Sequence, residues 1–268
     1  MRIFDMNKEQ IQANIVAKMF SPEGHIKRTI SDLNRLQKGD KDVTVQVLLP
    51  KFRLSYPALD VPKEGEWKGQ KLDPKYSAVA VFDPEESQAL WPYWRVVYAL
   101  CSKYLGKKAP AFILNVNNGA VLVKSNEDYL ETQIEKGKDI SQTQDVYKKG
   151  GSFLNLSRNA KFGPVLLVGK DRKVLTAAEA KTQIYAGCYC QATVELFAMN
   201  NDKVAQRLLG VMKVGEGERL TGGAVGSVDA FESVNILDPI EGGDSAPSLG
   251  DMFGGRADAD AEMSNLLG

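Results

Sequence analysis

In the stretch Tyr185-Ala-Gly-Cys-Tyr-Cys-Gln-Ala-Thr-Val-Glu-Leu-Phe-Ala198, every even position is small or apolar: Ala186, Cys188, Cys190, Ala192, Val194, Leu196 and Ala198. The odd positions are Tyr185, Gly187, Tyr189, Gln191, Thr193, Glu195 and Phe197. Successive side chains of a strand point to opposite faces, so the stretch predicts one long strand with a dry face and a polar-aromatic face. A polar face is the usual solvent side of an antiparallel sheet. Tyr185, Tyr189 and Phe197 add flat rings to it. Such rings serve either as cross-strand packing or as platforms on which unpaired bases stack without regard to sequence.

Thr176-Ala-Ala-Glu179 is a capping box that opens a short helix before this strand. After it, Asn200-Asn201-Asp202 reads as a turn, residues 208–214 as a returning strand and residues 215–226 as a glycine-rich loop. Residues 231–237 suit a last strand. Upstream, residues 152–157 and 164–168 read as a strand pair, and residues 125–151 as a long polar surface excursion. Residues 111–124 suit a strand with a turn at Asn117-Asn118-Gly119. Residues 76–82 form a strand that ends at Asp83, an N-cap with Pro84 at the first helical position. The helix that follows must bend or restart at Pro92, and Leu90, Trp94, Val97, Cys101 and Leu105 give it an apolar stripe. Residues 43–56 are a strand bent or bulged at Pro50, joined to residues 76–82 by a polar loop that holds Trp67. Ile11, Ile15 and Met19 predict a first helix, Ser21-Pro22-Glu23-Gly24 breaks it, and Ile26, Ile30, Leu33 and Leu36 predict a second.

The fold class is therefore mostly β with helical additions. A helical extension covers residues 1–42, the principal domain residues 43–237, and a flexible acidic tail residues 238–268. Strands with a short helix before the fourth follow the order of an OB-type five-stranded barrel with insertions.

The chain has 268 residues, 43% hydrophobic and 25% charged, the composition of a soluble globular protein. It has no apolar run long enough for a membrane span, and Met1 to Glu9 lacks the apolar core of a secretory signal. Two of its three cysteines share a strand face, which suits a reducing cytoplasm rather than a disulfide scaffold. The net charge of zero conceals an asymmetry. Residues 238–268 hold seven acids, Asp238, Glu241, Asp244, Asp251, Asp258, Asp260 and Glu262, against Arg256, a net of −6 that leaves +6 on residues 1–237. Such a tail is either a solvated terminus or a competitor for a basic groove.

Catalysis finds little support. His25 is the one histidine, reads as a surface residue beside a turn, and leaves no nucleophile–histidine set to assemble. Cys188, Cys190, Cys101 and His25 are too scattered for a zinc site. The glycines of residues 215–226 lack a following Lys-Ser/Thr, so no phosphate loop forms. No cofactor is expected, nor an enzymatic activity. Nucleic-acid binding finds more. Residues 147–173 carry Lys148, Lys149, Arg158, Lys161, Lys170, Arg172 and Lys173 against the single acid Asp171, with Phe153 and Phe162 between them. Lys51, Phe52, Arg53, Tyr56, Lys75 and Tyr76 repeat the combination. Bases track phosphates while rings take nucleobases. The candidate stacking rings are Phe52, Tyr56, Tyr76, Phe153, Tyr185 and Tyr189, and the candidate phosphate contacts are the cations just named. A β-rich virion or scaffold protein and a metal-dependent nuclease are the alternatives.

Lys51-Phe-Arg-Leu-Ser-Tyr-Pro57, Tyr185-Ala-Gly-Cys-Tyr189, Gly215-Glu-Gly-Glu-Arg-Leu-Thr-Gly-Gly223 and Asp229-Ala-Phe231 together resemble a family of phage single-stranded DNA-binding proteins, formerly a domain of unknown function. The likeness runs in order over roughly residues 43–233. It implies an OB fold, binding of single strands, and a role in phage DNA replication, recombination and repair in the host cytoplasm. By analogy with single-strand binders it also implies a tail, here with Asp244, Asp251, Asp258, Asp260 and Glu262, that competes with DNA and recruits replication or recombination enzymes. A homodimer is a further expectation. The helical extension and the polar insertion at residues 125–151 are longer than the family pattern, and the tail ends Asn265-Leu-Leu-Gly268 without a terminal aromatic.

Overall fold

The computed structural model describes residues 7–40, 43–67, 70–105, 123–141, 143, 145–199 and 203–220. Residues 111–122 of the strand expected over 111–124, the turn at residues 200–202, the remainder of the glycine-rich loop from residue 221, the strand at residues 231–237 and the acidic tail lie outside these. Two helices come first, α1 (Lys8–Phe20) and α2 (Pro22–Gln37). Ser21 both ends one and starts the other. Its N–H bonds Ala17 O, its Oγ accepts from Gly24 N, and Pro22 takes the first helical position, where its missing N–H has no intrahelical partner to lose. The strands are β1 (Val45–Leu48), β2 (Phe52–Trp67), β3 (Gln70–Phe82), β4 (Val123–Ser125), β5 (Ser152–Asn159), β6 (Leu166–Val168), β7 (Tyr189–Met199) and β8 (Lys203–Gly215). Between them lie α3 (Pro84–Gln88), α4 (Trp91–Leu105), α5 (Asn126–Glu135), a one-turn 3-10 helix at Ala160–Phe162, and α6 (Ala177–Gln183). Among the described residues no helix is long and apolar enough to cross a membrane.

The eight strands form one sheet in the order β4-β5-β3-β2-β7-β8-β6, with β1 also paired to β7. All pairs are antiparallel except β6 with β8. Among the described residues the strands number eight rather than the expected five, and their ladder does not close into a barrel. At the seam between β5 and β8, side chains take the place of a ladder. Gln206 Nε2 donates to Asn155 O at 2.5 Å, and Arg158 Nη1 donates to Leu208 O at 3.3 Å.

The break at Pro50 is a bulge. Leu48 pairs with Thr193 and Phe52 with Cys190, so three residues of one strand oppose two of the other. The capping box at Thr176 and Glu179 forms as expected, and the helix after Asp83 restarts at Trp91 beside Pro92. Three expectations are corrected. The polar loop between residues 56 and 76 is a two-stranded arm of β2 and β3, whose register shifts between Ser55 and Ala58 and between Ala58 and Lys63 accommodate Pro57 and Pro62. Of residues 152–157 and 164–168, the first set lies in β5 and only 166–168 of the second in β6, and the two do not pair with each other: β5 lies between β3 and β4, and β6 lies against β8. The 3-10 turn, closed by Gly163 at φ 81°, carries the chain across the seam. Finally, residues 125–151 are not simply a surface excursion. They contain α5, and Val146 and Tyr147 are buried with Phe153, Val79 and Val81 on the outer side of the sheet.

The strand expected from Tyr185 begins only at Tyr189, because residues 185–188 turn through Gly187 at φ 105°; along it the dry face is as alternation predicts, with Cys190, Ala192, Val194 and Leu196 wholly buried, and Cys188 just before it is buried too. They meet Phe52, Leu54, Ala80, Phe82, Leu154 and Leu156 from the neighbouring strands, Leu90 before α4, and Tyr93, Trp94, Val97 and Leu100 of α4. Burying such side chains stabilises the fold by about 1.5–3 kcal/mol each. His25, expected at the surface, is 4% exposed, and its Nε2 donates to Met19 O. Burial holds its pKa below the usual histidine value, against the pull of the Met19 carbonyl; Arg28 nearby acts in the same sense as burial.

Candidate nucleic-acid interface

Direct partners in an antiparallel ladder share a face. One such row crosses six strands: Lys124, Phe153, Val81, Arg53, Tyr189 and Gly215. Its two halves differ. Phe153 and Val81 are roofed by Tyr129 and Tyr147, the two tyrosine rings stacked at 4.4 Å and each meeting Phe153 edge-on. Burial raises the pKa of both tyrosines. Arg53 and Tyr189 are only partly buried, so the open end of the row is there. The polar face of β7 closes again further along. Thr193 is fully buried, with its Oγ1 donating to Met19 O of α1, and Glu195 is held by Thr44 and Arg207. The N-terminal helices therefore cover the middle of the face that alternation alone would leave wet.

The open end gathers rings and cations. Lys51 Nζ sits 5.5 Å from the Tyr189 ring centre and bonds Glu86 Oε1 at 3.0 Å, a contact that raises its pKa. Tyr185 lies beneath two cations, Lys213 Nζ at 4.9 Å and the Arg219 guanidinium at 4.1 Å. Its hydroxyl donates to Glu216 Oε2 at 2.8 Å and accepts from Gly217 N at 3.3 Å. Arg53 Nη2 donates to Glu218 O at 3.2 Å. Residues 216–220 thus form a strap across the start of β7, fixed also by Leu220 N to Ala186 O at 2.9 Å. Two glycines allow the crossing. A Cβ on Gly217 would come to 2.0 Å from Gly187 O, inside any real contact.

Of the rings singled out in the sequence, Tyr185 and Tyr189 both lie against the strap at Gly217, Tyr185 packing on the main core, while Tyr56, with φ 46°, packs on the Val79–Phe153 cluster. Phe52 and Phe153 are corrected. Phe52 is 2% exposed and packs edge-on to Phe82 at 5.7 Å, and Phe153 is 4% exposed, so neither ring can receive a base. Tyr76 is half-buried against the main core.

The cations divide into groups. Lys51 and Arg53 flank Tyr189. Lys148 bonds Asp83 at 3.1 Å, and Asp83 also acts on Lys51, so Lys148 continues the open end, while its neighbour Lys149 approaches Glu127 at 3.8 Å. Lys170, Arg172 and Lys173 lie exposed on the turn after β6, with Lys170 near enough to Glu216 to lower its pKa. Lys173 pairs with Asp171 at 3.7 Å. Lys75, Arg158 and Lys161 stand apart, about 20 Å away along β3 at about 3.3 Å per residue. Burial lowers the pKa of Lys75. Arg158 is corrected from a phosphate contact to a structural bridge, because its guanidinium donates to the carbonyls of Gly163, Phe162 and Leu208. Lys161 reaches only towards Asp73, at 4.0 Å, and the Phe162 ring.

Three residues not among the candidate contacts drawn from the sequence complete the arrangement: Lys213, and Glu216 and Arg219 from the motif Gly215–Gly223 that carries the family resemblance. The signal for Lys213 was available, since it is a lone cation within the apolar run Leu208-Leu-Gly-Val-Met-Lys-Val214. Among the described residues no group of three or more His, Cys, Asp or Glu side chains is placed to hold a metal ion.

Comparison with known proteins adds the family. A curated relative, protein p50 of Acyrthosiphon pisum secondary endosymbiont phage 1, is 34% identical over 90 residues, 33% of this chain and 47% of that protein; the chain thus spans about half the length of the relative it matches. The single-stranded DNA-binding protein of bacteriophage Enc34, solved in complex with ssDNA, aligns with a TM-score of 0.48 and 18% identity, covering 66% of this chain and 89% of that one. The single-stranded DNA-binding protein gp2.5 of bacteriophage T7 aligns with a TM-score of 0.41 and 13% identity, covering 65% and 93%. The family model described as Enterobacter phage Enc34, ssDNA-binding protein, matches residues 45–240, which is most of the chain and takes in every strand from β1 to β8. By that match the chain belongs to the family of the Enterobacter phage Enc34 ssDNA-binding protein.

Proposed function

We propose that this chain is a non-enzymatic single-stranded DNA-binding protein, built on an OB-type sheet, that coats and protects unpaired strands without regard to sequence during phage DNA replication, recombination and repair in the host cytoplasm. The observation that carries the reading is the ladder pair Arg53 and Tyr189 with Lys51 over the ring, in a chain of this family. A nucleobase stacks on Tyr189 and another on Tyr185, with Tyr56 as a third ring. Lys51, Arg53, Lys148, Lys149, Lys170, Arg172 and Lys173 follow the phosphates. The cations already resting on both tyrosines hold the rings in place and put positive charge where a phosphate passes. Lys75, Lys161 and Tyr76 belong to a separate patch that a longer strand reaches. The acidic tail, residues 238–268, competes for the same cations and engages replication or recombination enzymes when DNA displaces it; the protein acts as a homodimer.

The test is a titration of labelled oligothymidine at two salt concentrations, with the full chain and with a chain lacking residues 238–268. Binding that weakens with salt at a log–log slope of about −0.7 per phosphate contacted, and that tightens on truncation at low salt, supports the reading. Salt-insensitive self-association without DNA binding points instead to a scaffold protein. Cleavage on adding magnesium or manganese points to a nuclease.

A further inference from the structure

Lys213 is the most buried lysine or arginine among the described residues. Its side chain is 6% exposed, whereas Glu216, which it bonds at 2.8 Å, is 67% exposed. The same carboxylate oxygen, Glu216 Oε2, also receives the Tyr185 hydroxyl at 2.8 Å. The Lys213 ammonium and the Tyr185 hydroxyl, which also has Gly217 O within reach at 3.0 Å, therefore converge on one anionic oxygen, and Lys170 adds positive potential around it. A buried cation requires an anionic partner, because leaving it unpaired is costly. That partner need not be Glu216. The carboxylate is on the solvent side of the pair, on the strap that follows β8, and can turn into water. Lys213, anchored in a strand opposite Cys190, cannot follow it.

We propose that Lys213 Nζ and Tyr185 Oη form a phosphate-binding site in which the Glu216 carboxylate stands in for a DNA phosphate. This rests on the single-strand-binding reading above and extends it to a site none of whose charged members was among the candidates drawn from the sequence. A phosphate oxygen offers the same acceptor as Oε2 to the same two donors, and charge-assisted bonds of this kind are the strong ones. A strand laid over Tyr185 brings its backbone to the spot, and the carboxylate yields its place. Each binding event then exchanges one ion pair for another, so the site contributes specificity for a phosphate at that point on the strand while Glu216 limits the affinity.

The experiment compares the full-length chain with Glu216→Gln and with the double variant Glu216→Gln/Lys213→Gln, using labelled oligothymidine across a salt series. Removing the competing charge should tighten binding roughly twofold to fivefold at low salt, the size of an exposed ion pair. It should steepen the log–log salt slope by about 0.7, one further phosphate neutralised. The double variant should lose both gains. A Glu216→Gln chain with the parent affinity and slope overturns the proposal. If the parent chain itself does not bind oligothymidine, the single-strand-binding reading fails instead. Should Glu216→Gln unfold, the parent chain labelled with ¹³C at its glutamate carboxyls answers the question. The Glu216 signal should move to the free-carboxylate position on saturation with oligothymidine, and a signal that stays put on the DNA-bound protein refutes the exchange.

Discussion

A side chain on Gly187 would place its first carbon 1.9 Å from the carbonyl oxygen of Glu218. Gly187 also has φ 105°, a conformation in which a Cβ is itself strained. The strap and the start of β7 are therefore fitted through a residue that has room for a hydrogen only. Gly187→Ala should lower stability by about 1–3 kcal/mol in urea unfolding. Because the strap must lift, tryptic cleavage after Arg219 should quicken in the same variant.

Tyr189 and Phe52 separate a binding ring from a packing ring. Tyr189→Ala should weaken oligothymidine binding by about 1–3 kcal/mol, read by fluorescence anisotropy, with the chain still folded. Phe52→Ala should cost about 3–5 kcal/mol of unfolding free energy. A Tyr189→Ala chain with normal affinity would assign that ring to packing.

Arg158 should behave as a stability residue. Its replacement by Ala removes the charged donors of three carbonyls, worth about 1.5–3 kcal/mol. The loss should appear in urea unfolding, with oligothymidine affinity unchanged.

His25 makes stability fall towards acid pH. Burial depresses its folded-state pKa below the model-peptide value of 6.5. Above that value the ring is neutral in both states and its packing contributes fully. As pH drops below it, the unfolded chain takes up the proton first, and the folded state is disfavoured until its own, lower pKa is passed. Thermal melts from pH 7.5 to pH 5.5 should show a falling Tm that flattens in His25→Gln.

Local chemistry was legible in the sequence wherever neighbours along the chain supply the partners. The Thr176–Glu179 capping box and the Ser21-Pro22 break form from residues within a few positions of one another, and the bulge at Pro50 is announced by the one residue with no N–H to give β7. The dry face of β7 was legible by parity. Parity also bears on Phe52 and Arg53, which are successive strand residues and so point to opposite faces; only Arg53 lies on the row with Tyr189. What alternation cannot reveal is the covering of a polar face by a distant segment. Thr193 and Glu195 are buried because Met19 and Thr44 reach them across well over a hundred residues. Phe153 is sealed by Tyr129 and Tyr147 from a segment whose overall polarity hides two rings. Likewise, Arg158 sits in a basic run, yet its acceptor Leu208 lies 50 residues on.

Across the seam between β5 and β8 the strands are held by Arg158 and Gln206 reaching the opposite carbonyls, so this joint depends on two side chains that substitution can remove without touching a backbone pairing.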